Sequence, residues 1–212
     1  MKLAKRVASA VGATLLLFSL TAKGHEEKAA PASPLTKNAP MPVIRAAPDF
    51  SLFDVENRLV KLSQLRGRTV LVAFIYTGCT SACPLLSFRM ARLQEKLARA
   101  QLDAVLLSVT VDPQRDDAKA LAAFGKRFHA RPGWHFLREE PERLAPVLAD
   151  YGEWTRVAGE LDHPARLHLI DGAGRVREIY SLAFFDEDQA FLDIHALARE
   201  GRAVSRSRSQ AR

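Results

Sequence analysis

The sequence predicts one α/β domain in which a mixed central sheet is flanked by helices. Two runs of β-branched and aromatic residues, at 69–76 and 104–111, have the composition of buried strands. Each run is followed by a segment with helical periodicity, and the order strand–helix–strand favours parallel pairing of the strands. The chain has 212 residues, of which 48% are hydrophobic and 26% charged, so it can build one core of ordinary size.

The helices are predicted from apolar residues that recur three and four positions apart. After the first strand, one side of a helix is suited by Leu85, Leu86, Phe88, Leu93 and Leu97, and Pro84 is tolerated in its first turn. Pro146 lies inside a later helical segment, where it predicts a kink or a break. The predicted helices are one that runs to about residue 100 and three more at 115–128, 141–154 and 186–200.

A hairpin is predicted in the second half of the chain. The strand-like segments 165–171 and 175–181 flank the sequence Gly-Ala-Gly, which is a turn signal. The hairpin adds an antiparallel pair, so the predicted sheet is mixed. A mixed sheet flanked by helices, with two cysteines at the end of its first central strand, is the architecture of thioredoxin-like domains.

Those cysteines, Cys79 and Cys83, are the only two in the chain and stand four positions apart. At the start of a helix, residues at this spacing lie on one face with Cβ atoms about 5–6 Å apart. Free N–H groups and the helix dipole lower the pKa of a thiol there. The pair can therefore hold one soft metal ion, or close a disulfide if the Cβ atoms approach to about 3.5–4.5 Å.

Structural interpretations of the cysteines are weaker. A disulfide that closes so short a loop stabilises a fold little, because the entropic gain grows with loop length. Structural zinc sites usually have four protein ligands, and only two thiols are present. Two buried thiols without a function remain an alternative. Two thiolates suit Cu(I), which needs a third donor for a trigonal site.

Histidine is the natural third donor, and His163 has the most favourable position. It stands just before the strand 165–171, which should lie beside the strand that leads to the cysteines. A loop there can face the cysteine loop across the strand ends, although a lone loop histidine is usually solvated. The other histidines have simpler interpretations: His25 in a linker, His129 and His135 beside a surface turn, His168 packed or half-exposed in a strand, and His195 at the core edge of a helix.

The N-terminal segment predicts export from the cytoplasm. Residues 1–24 have a basic start, an uncharged apolar stretch and small residues at 22 and 24, as in a secretory signal peptide or an N-terminal membrane anchor. The residues 25–45 are rich in Ala, Pro, Lys and Glu and predict a flexible linker. We therefore expect a domain at 46–200 that lies in the periplasm or is anchored in the inner membrane facing it, where disulfides can form.

The net charge of +7 does not indicate a nucleic-acid-binding protein, because the excess lies at the two ends. Residues 1–24 hold four of the 31 basic residues, and residues 201–212 hold another four, with no acid in either segment. The rest therefore has 23 basic and 24 acidic residues. The segment 201–212 predicts a basic, disordered tail.

Three motifs in order resemble the Sco/SenC family of copper-handling, thioredoxin-like proteins over about residues 46–200. The first is the strand and Cys-x-x-x-Cys-Pro motif in LSQLRGRTVLVAFIYTGCTSACP. The second is a strand followed by Asp-Pro-x-Arg-Asp, in LLSVTVDPQRDDAKAL. The third is an Asp-His segment, a strand and an Asp-x-x-Gly turn, in LDHPARLHLIDGAGRV.

The resemblance implies that Cys79, Cys83 and His163 bind a copper ion, as Cu(I) or Cu(II). It also implies a role in maturing the copper A centre of cytochrome c oxidase, by delivering copper or by reducing the cysteines of that site. The partner would be the copper A-bearing subunit or another exported copper protein, and we expect a monomer. Asp162 and Asp112 are candidates for orienting the ligands, and Asp112 is equally a candidate helix cap.

The sequence departs from the family pattern at two places. Residues 80–82 are Thr-Ser-Ala, where the family often has Pro-Asp and a third residue. Pro164 follows the histidine, where the family usually has a small hydroxyl residue; proline stiffens the chain and removes an N–H group.

The same cysteines support a rival function, an exported thiol-disulfide oxidoreductase acting on protein disulfides. Cys79 would attack as a thiolate and Cys83 would resolve the mixed disulfide. His163 would then be dispensable for the exchange. A copper or redox sensor without catalysis is a third interpretation.

Overall fold

The computed structural model describes residues 40–153 and 164–210. Within these residues, eight strands and four α-helices follow one another in an order that includes every predicted helix and strand. The bounds are β1 (Arg45–Ala46), β2 (Ser51–Asp54), β3 (Leu59–Lys61), β4 (Thr69–Ile75), α1 (Ala82–Arg99), β5 (Ala104–Thr110), α2 (Ala118–Arg127), β6 (Trp134–Arg138), α3 (Pro141–Tyr151), β7 (Arg166–Ile170), β8 (Arg175–Ser181) and α4 (Glu187–Gln210).

The strands form one mixed sheet in the order β1-β8-β7-β4-β5-β6-β2-β3. The central strands β4, β5 and β6 are parallel, and β7 pairs with β4 in antiparallel orientation. The predicted α/β fold, with a mixed sheet flanked by helices, is therefore confirmed. The antiparallel pairing of β7 with β8 also confirms the predicted hairpin.

The core has two layers, one on each side of β4, which is buried along its whole length. Leu71 and Ile75 face the layer that contains the buried side of α1 and of α4. Phe74 faces the other layer, where it packs against Tyr151 at the end of α3. Because successive side chains of a strand point to opposite faces, one apolar run serves both layers.

The buried face of α1 fixes the helix to the sheet. Leu86, Met90, Leu93 and Leu97 are buried at spacings of four, three and four residues. The predicted face is correct for Leu86, Leu93 and Leu97. It is wrong for Leu85 and Phe88, which stand one position before and two positions after Leu86 and are exposed. Burial of each such side chain contributes about 1.5–3 kcal/mol. The first turn of α1 is thereby held at the carboxyl end of β4, where the two cysteines lie.

Strand β6 and the position of His135 were not predicted from the sequence. The predicted surface turn at 130–134 is present, with Gly133 at φ +92°, but the prediction that His135 lies in a loop is wrong, because β6 begins at Trp134. Trp134 and Phe136 are buried, and His135 between them is half-buried in β6. Its Nδ1 lies 4.0 Å from the carboxylate of Asp54. Five residues that include the polar His135 and Arg138 give too short a pattern to identify a strand.

The third helix continues through Pro146, so the predicted break is not seen in α3. The helix ends instead at Gly152, whose left-handed conformation at φ +71° provides the C-cap. The helix begins at the predicted residue, 141, and ends three residues before the predicted end at 154.

Residues at the end of the predicted linker are bound to the domain. The guanidinium group of Arg177, a residue 2% exposed, donates from Nε to the carbonyl oxygen of Pro42 at 3.0 Å. It also donates to the carboxylates of Asp171 and Glu200, at 2.9 Å each. The N–H of Met41 donates to Glu200 at 3.2 Å. A buried arginine with several acceptors thus fixes this segment beside β8.

The last helix extends beyond its predicted end. It continues from Glu187 to Gln210, whereas the sequence predicts a helix to residue 200 and a disordered tail from 201. No proline follows Gly201, and arginine is a good helix former, so little in the sequence ends the helix. The predicted signal peptide or anchor, most of the predicted linker and residues 211–212 lie outside the described residues. Among the described helices, none is both long and apolar enough to cross a membrane.

Candidate functional site

The two cysteines lie where the loop after β4 enters α1. Cys79 is in the loop, and its N–H donates to the carbonyl of Tyr76 at 3.3 Å. Cys83 is the second residue of α1. The spacing predicts that both cysteines lie in the helix, and this is correct only for Cys83. Both thiols are free; Cys79 is 8% exposed and Cys83 1%.

The sulfur of Cys79 is directed at the N-terminus of α1. The backbone N–H of Cys83 donates to Cys79 Sγ at 3.3 Å. Within the described residues, the side chain of the N-cap residue Ser81 makes no capping hydrogen bond, so the sulfur accepts from an N–H that the helix itself leaves free. This contact brings the two cysteines together, as their spacing predicts.

The two thiols differ in acidity. Burial raises the pKa of the Cys79 thiol, but hydrogen bonds from the backbone N–H groups of Cys83 and Ser81 outweigh it, and the pKa falls below its ordinary value. Burial raises the pKa of the Cys83 thiol to about 12, and the charges of Cys79 and Asp116 act in the same direction. The sequence-based expectation of a lowered pKa is therefore correct for Cys79 and wrong for Cys83.

A buried carboxylate holds the start of the cysteine loop. Asp116 Oδ1 and Oδ2 accept hydrogen bonds from the backbone N–H of Thr77 at 3.2 and 3.1 Å. The same carboxylate accepts from the hydroxyl groups of Thr77 and Thr110, at 2.5 Å each. Asp116 follows the second predicted strand, whose carboxyl end must lie beside that of the first, and this position is the signal that could have identified it.

Asp112 does not have the capping role that the sequence suggests as one of two alternatives. It does not cap α2, because Asp117 is the N-cap and accepts from the N–H of Ala120 at 2.7 Å. The carboxylate of Asp112 pairs instead with Arg115, and its N–H donates to Thr110 Oγ1 at 2.9 Å.

The predicted third ligand, His163, lies outside the described residues, as does Asp162. The structure does describe Pro164, which is exposed, and the strand that follows it. In the pairing of β7 with β4, Leu167 lies opposite Ala73, near the carboxyl end of β4. This confirms that β7 lies beside the strand leading to the cysteines. In the parts of the chain that are described, no group of three or more His, Cys, Asp or Glu side chains could hold a metal ion.

The structure also describes the other histidines outside the linker. His168 is buried, with its ring edge-on to Phe74 and Tyr151, and neither ring nitrogen has a hydrogen-bond partner among the described residues. This agrees with its prediction as a packed strand residue. His195 is exposed on α4 rather than at the core edge. His129 lies in the loop after α2 with φ +53°.

Comparison with known proteins places these features in one family. The sequence model of the family SCO1/SenC matches residues 40–199. A relative from Bacillus subtilis strain 168, named SCO1 protein homolog, is 33% identical over 143 residues, which cover 62% of this chain and 72% of the relative.

Two solved structures have the same fold. The crystal structure of Arabidopsis thaliana ScoI with copper bound is 22% identical, with a TM-score of 0.63, over 73% of this chain and 99% of that chain. BsSco, described as a member of the Sco family of cytochrome c oxidase assembly proteins with a disulfide switch, is 21% identical, with a TM-score of 0.67, over 76% of this chain and 98% of that chain. These likenesses confirm the predicted thioredoxin-like fold. Since the family model matches well over half of the sequence, the chain belongs to the SCO1/SenC family.

Proposed function

We propose that this protein is a copper chaperone that carries one copper ion on Cys79, Cys83 and His163. The observation that carries the proposal is the contact between the cysteines, in which Cys79 Sγ lies 3.3 Å from the backbone nitrogen of Cys83. Two soft donors are thereby brought to one place at the end of β4. The copper-bound relative from Arabidopsis thaliana supports copper as the ion.

The donor set fits copper better than a harder metal. Thiolates select Cu(I) among the first-row ions, and an imidazole completes a three-ligand site. Binding requires deprotonated sulfurs, and the pKa of the Cys83 thiol is raised to about 12, so the metal displaces its proton to solvent as it binds. Copper uptake should therefore release protons and strengthen as the pH rises.

His163 is proposed as the third donor because of its place in the chain. It precedes Pro164 and β7, and β7 runs beside β4, which ends at the cysteine loop. The described residues supply no third protein ligand beside the two sulfurs. A site with three ligands can pass copper to a partner by stepwise exchange of one donor at a time.

The proposed client is the copper A-bearing subunit of cytochrome c oxidase or another exported copper protein. Membership in the SCO1/SenC family and the description of BsSco as an oxidase assembly protein support this choice. The basic and apolar pattern of residues 1–24 supports an exported protein, in the periplasm or attached to the inner membrane through its N-terminus. The nearly neutral body of the chain gives no support to nucleic-acid binding.

Copper transfer between purified proteins tests the proposed function. The chain loaded with Cu(I) is mixed with the reduced, copper-free domain of the copper A-bearing subunit, and the metal content of each is measured after separation. We expect copper to move from the wild-type chain to the client, and Cys79→Ser and Cys83→Ser to carry no copper. His195→Gln, which changes an exposed histidine, should behave as wild type. Copper that stays on the wild-type chain at every ratio would contradict the proposal.

The unequal acidity of the thiols favours a second candidate, a thiol-disulfide reductase. Cys79 is the more acidic and more exposed thiol, which suits the attacking sulfur, and buried Cys83 suits the resolving one. The reduced, copper-free chain would then give two electrons and two protons to a client disulfide, forming a Cys79–Cys83 disulfide and two client thiols. Client thiols that appear without copper, with unchanged yield in His163→Ala, would favour this candidate.

A further inference from the structure

We propose that Asp116 is a positioning residue that holds the cysteine loop in the arrangement of the reduced, metal-accepting pair. It acts through Thr77, and its removal should shift the equilibrium between the dithiol and the disulfide of Cys79 and Cys83. The inference concerns the same cysteines as the proposed function, but it can be tested without copper.

The carboxylate of Asp116 is fully buried and is saturated with hydrogen bonds. It accepts hydrogen bonds from the N–H and the hydroxyl group of Thr77 and from the hydroxyl group of Thr110. Within residues 40–153 and 164–210, no ion pair involves Asp116. A buried carboxylate is costly unless it is paired or well hydrogen-bonded, so these three donors are what keeps it in place.

The hydrogen bonds of Asp116 connect the end of β5, the loop after β4 and the segment before α2 at the carboxyl edge of the sheet. Thr110 is the last residue of β5, and it lies opposite Ile75, the last residue of β4. Thr77 is the second residue after β4 and precedes Cys79 by two positions. Asp116 itself lies just before α2. The carboxylate therefore fixes the direction in which the chain leaves β4 toward the first sulfur.

This restraint favours the dithiol over the disulfide. In the described arrangement Cys79 Sγ accepts the N–H of Cys83, and both sulfurs are free thiols. A disulfide needs an S–S distance of about 2.05 Å and Cβ atoms about 3.5–4.5 Å apart. The loop that carries Cys79 must adjust to reach that geometry, and the bonds from Asp116 to Thr77 oppose the movement.

The test is the redox equilibrium of the copper-free chain in buffers of reduced and oxidised dithiothreitol. Reduction of the Cys79–Cys83 disulfide takes two electrons and two protons from the two thiols of dithiothreitol, which closes to its cyclic disulfide. In Asp116→Ala we expect the ratio of disulfide to dithiol to rise about tenfold, which corresponds to a potential lower by about 30 mV. Thr77→Val, which keeps the backbone N–H but loses the hydroxyl group, should shift the ratio in the same direction by less.

Two controls separate positioning from general stabilisation. Asp117→Asn makes the same charge change next to Asp116, on an exposed residue, and asparagine remains a good N-cap, so the ratio should not change. Thr77→Ser retains the hydroxyl group and should restore the wild-type ratio. Unfolding of each variant is measured in both redox states, because a merely structural role destabilises both equally and leaves the ratio unchanged.

An unchanged or lower ratio in folded Asp116→Ala and Thr77→Val would overturn the inference. If Asp116→Ala does not fold, the test rests on Thr77→Val, and an unchanged ratio of disulfide to dithiol in that variant would overturn the inference. Failure of copper transfer to the client would count against the proposed function and leave this equilibrium unaffected.

Discussion

Limited alkylation of the reduced protein at pH 7 is expected to modify Cys79 about 50-fold faster than Cys83. The Cys79 thiol has a pKa below its ordinary value of 9.0, and burial raises that of Cys83 to about 12. The rise in the pKa of Cys83 from 9.0 to about 12 alone leaves that thiol with about a thousandfold less thiolate than an unshifted thiol, and the lowered pKa of Cys79 acts in the same direction. The lower nucleophilicity of the more acidic sulfur reduces this advantage to roughly 50-fold. The deeper burial of Cys83 enlarges the ratio further.

The rates are measured by mass spectrometry of peptides after brief treatment with iodoacetamide between pH 6 and 10. Modification of Cys79 should level off at a lower pH than that of an ordinary thiol, whereas that of Cys83 should keep rising by about tenfold per pH unit. Cys83→Ser keeps the backbone N–H that Cys79 Sγ accepts, so it serves as the matched control and should leave the Cys79 rate within a few-fold. Equal rates at the two cysteines would show that the described asymmetry is incorrect.

Acid should destabilise the fold through His168. Burial, together with the smaller effect of the positive charges of Arg45 and Arg166, lowers the pKa of His168 to about 4. As the pH falls below about 6.5, the unfolded chain takes up a proton that the folded protein does not accept until about pH 4. The free energy of unfolding should therefore drop by about 3 kcal/mol between pH 7 and 4 from this residue alone.

The variant His168→Leu isolates this contribution, because leucine is similar in volume and cannot titrate. Urea denaturation at several pH values should show that the variant loses about 3 kcal/mol less than wild type between pH 7 and 4. Asp54 and Asp171 also have lowered pKa values, but they titrate equally in both proteins. His195→Gln is the control at an exposed site. An identical pH dependence in His168→Leu and wild type would contradict the assignment.

The fold could be predicted because its central elements carry strong local patterns. The predicted strands at 69–76 and 104–111 match β4 and β5 within one residue, since long runs of β-branched residues have few alternatives. The two-residue strand β1 and the strand β6 could not be predicted in the same way. Their pairing depends on partners distant in the chain, β8 for β1 and β5 for β6.

The spacing of the cysteines predicts that they meet in the candidate site, but it does not predict their environment. Two cysteines four apart after a strand imply that the sulfurs meet, and the structure brings Cys79 Sγ against the N–H of Cys83. The opposite shifts of the two thiol pKa values depend on burial, which spacing does not encode. Their position after β5 makes both Asp112 and Asp116 candidates, but only the fold shows that Asp116 binds Thr77 and Thr110, whereas Asp112 pairs with Arg115.

The most direct test of the account is the copper affinity of His163→Ala. Competition with a chromophoric chelator gives the affinity for Cu(I), and the absorption spectrum of the Cu(II) form reports the ligands. Loss of an imidazole donor should weaken Cu(I) binding by more than about a hundredfold. Mutation of residues that only hydrogen-bond to a metal ligand already lowers metal affinity by tenfold to about a hundredfold. The spectrum should change as well, and His129→Ala should retain wild-type affinity. Unchanged affinity and an unchanged spectrum in His163→Ala would contradict a copper site made of two sulfurs and this imidazole.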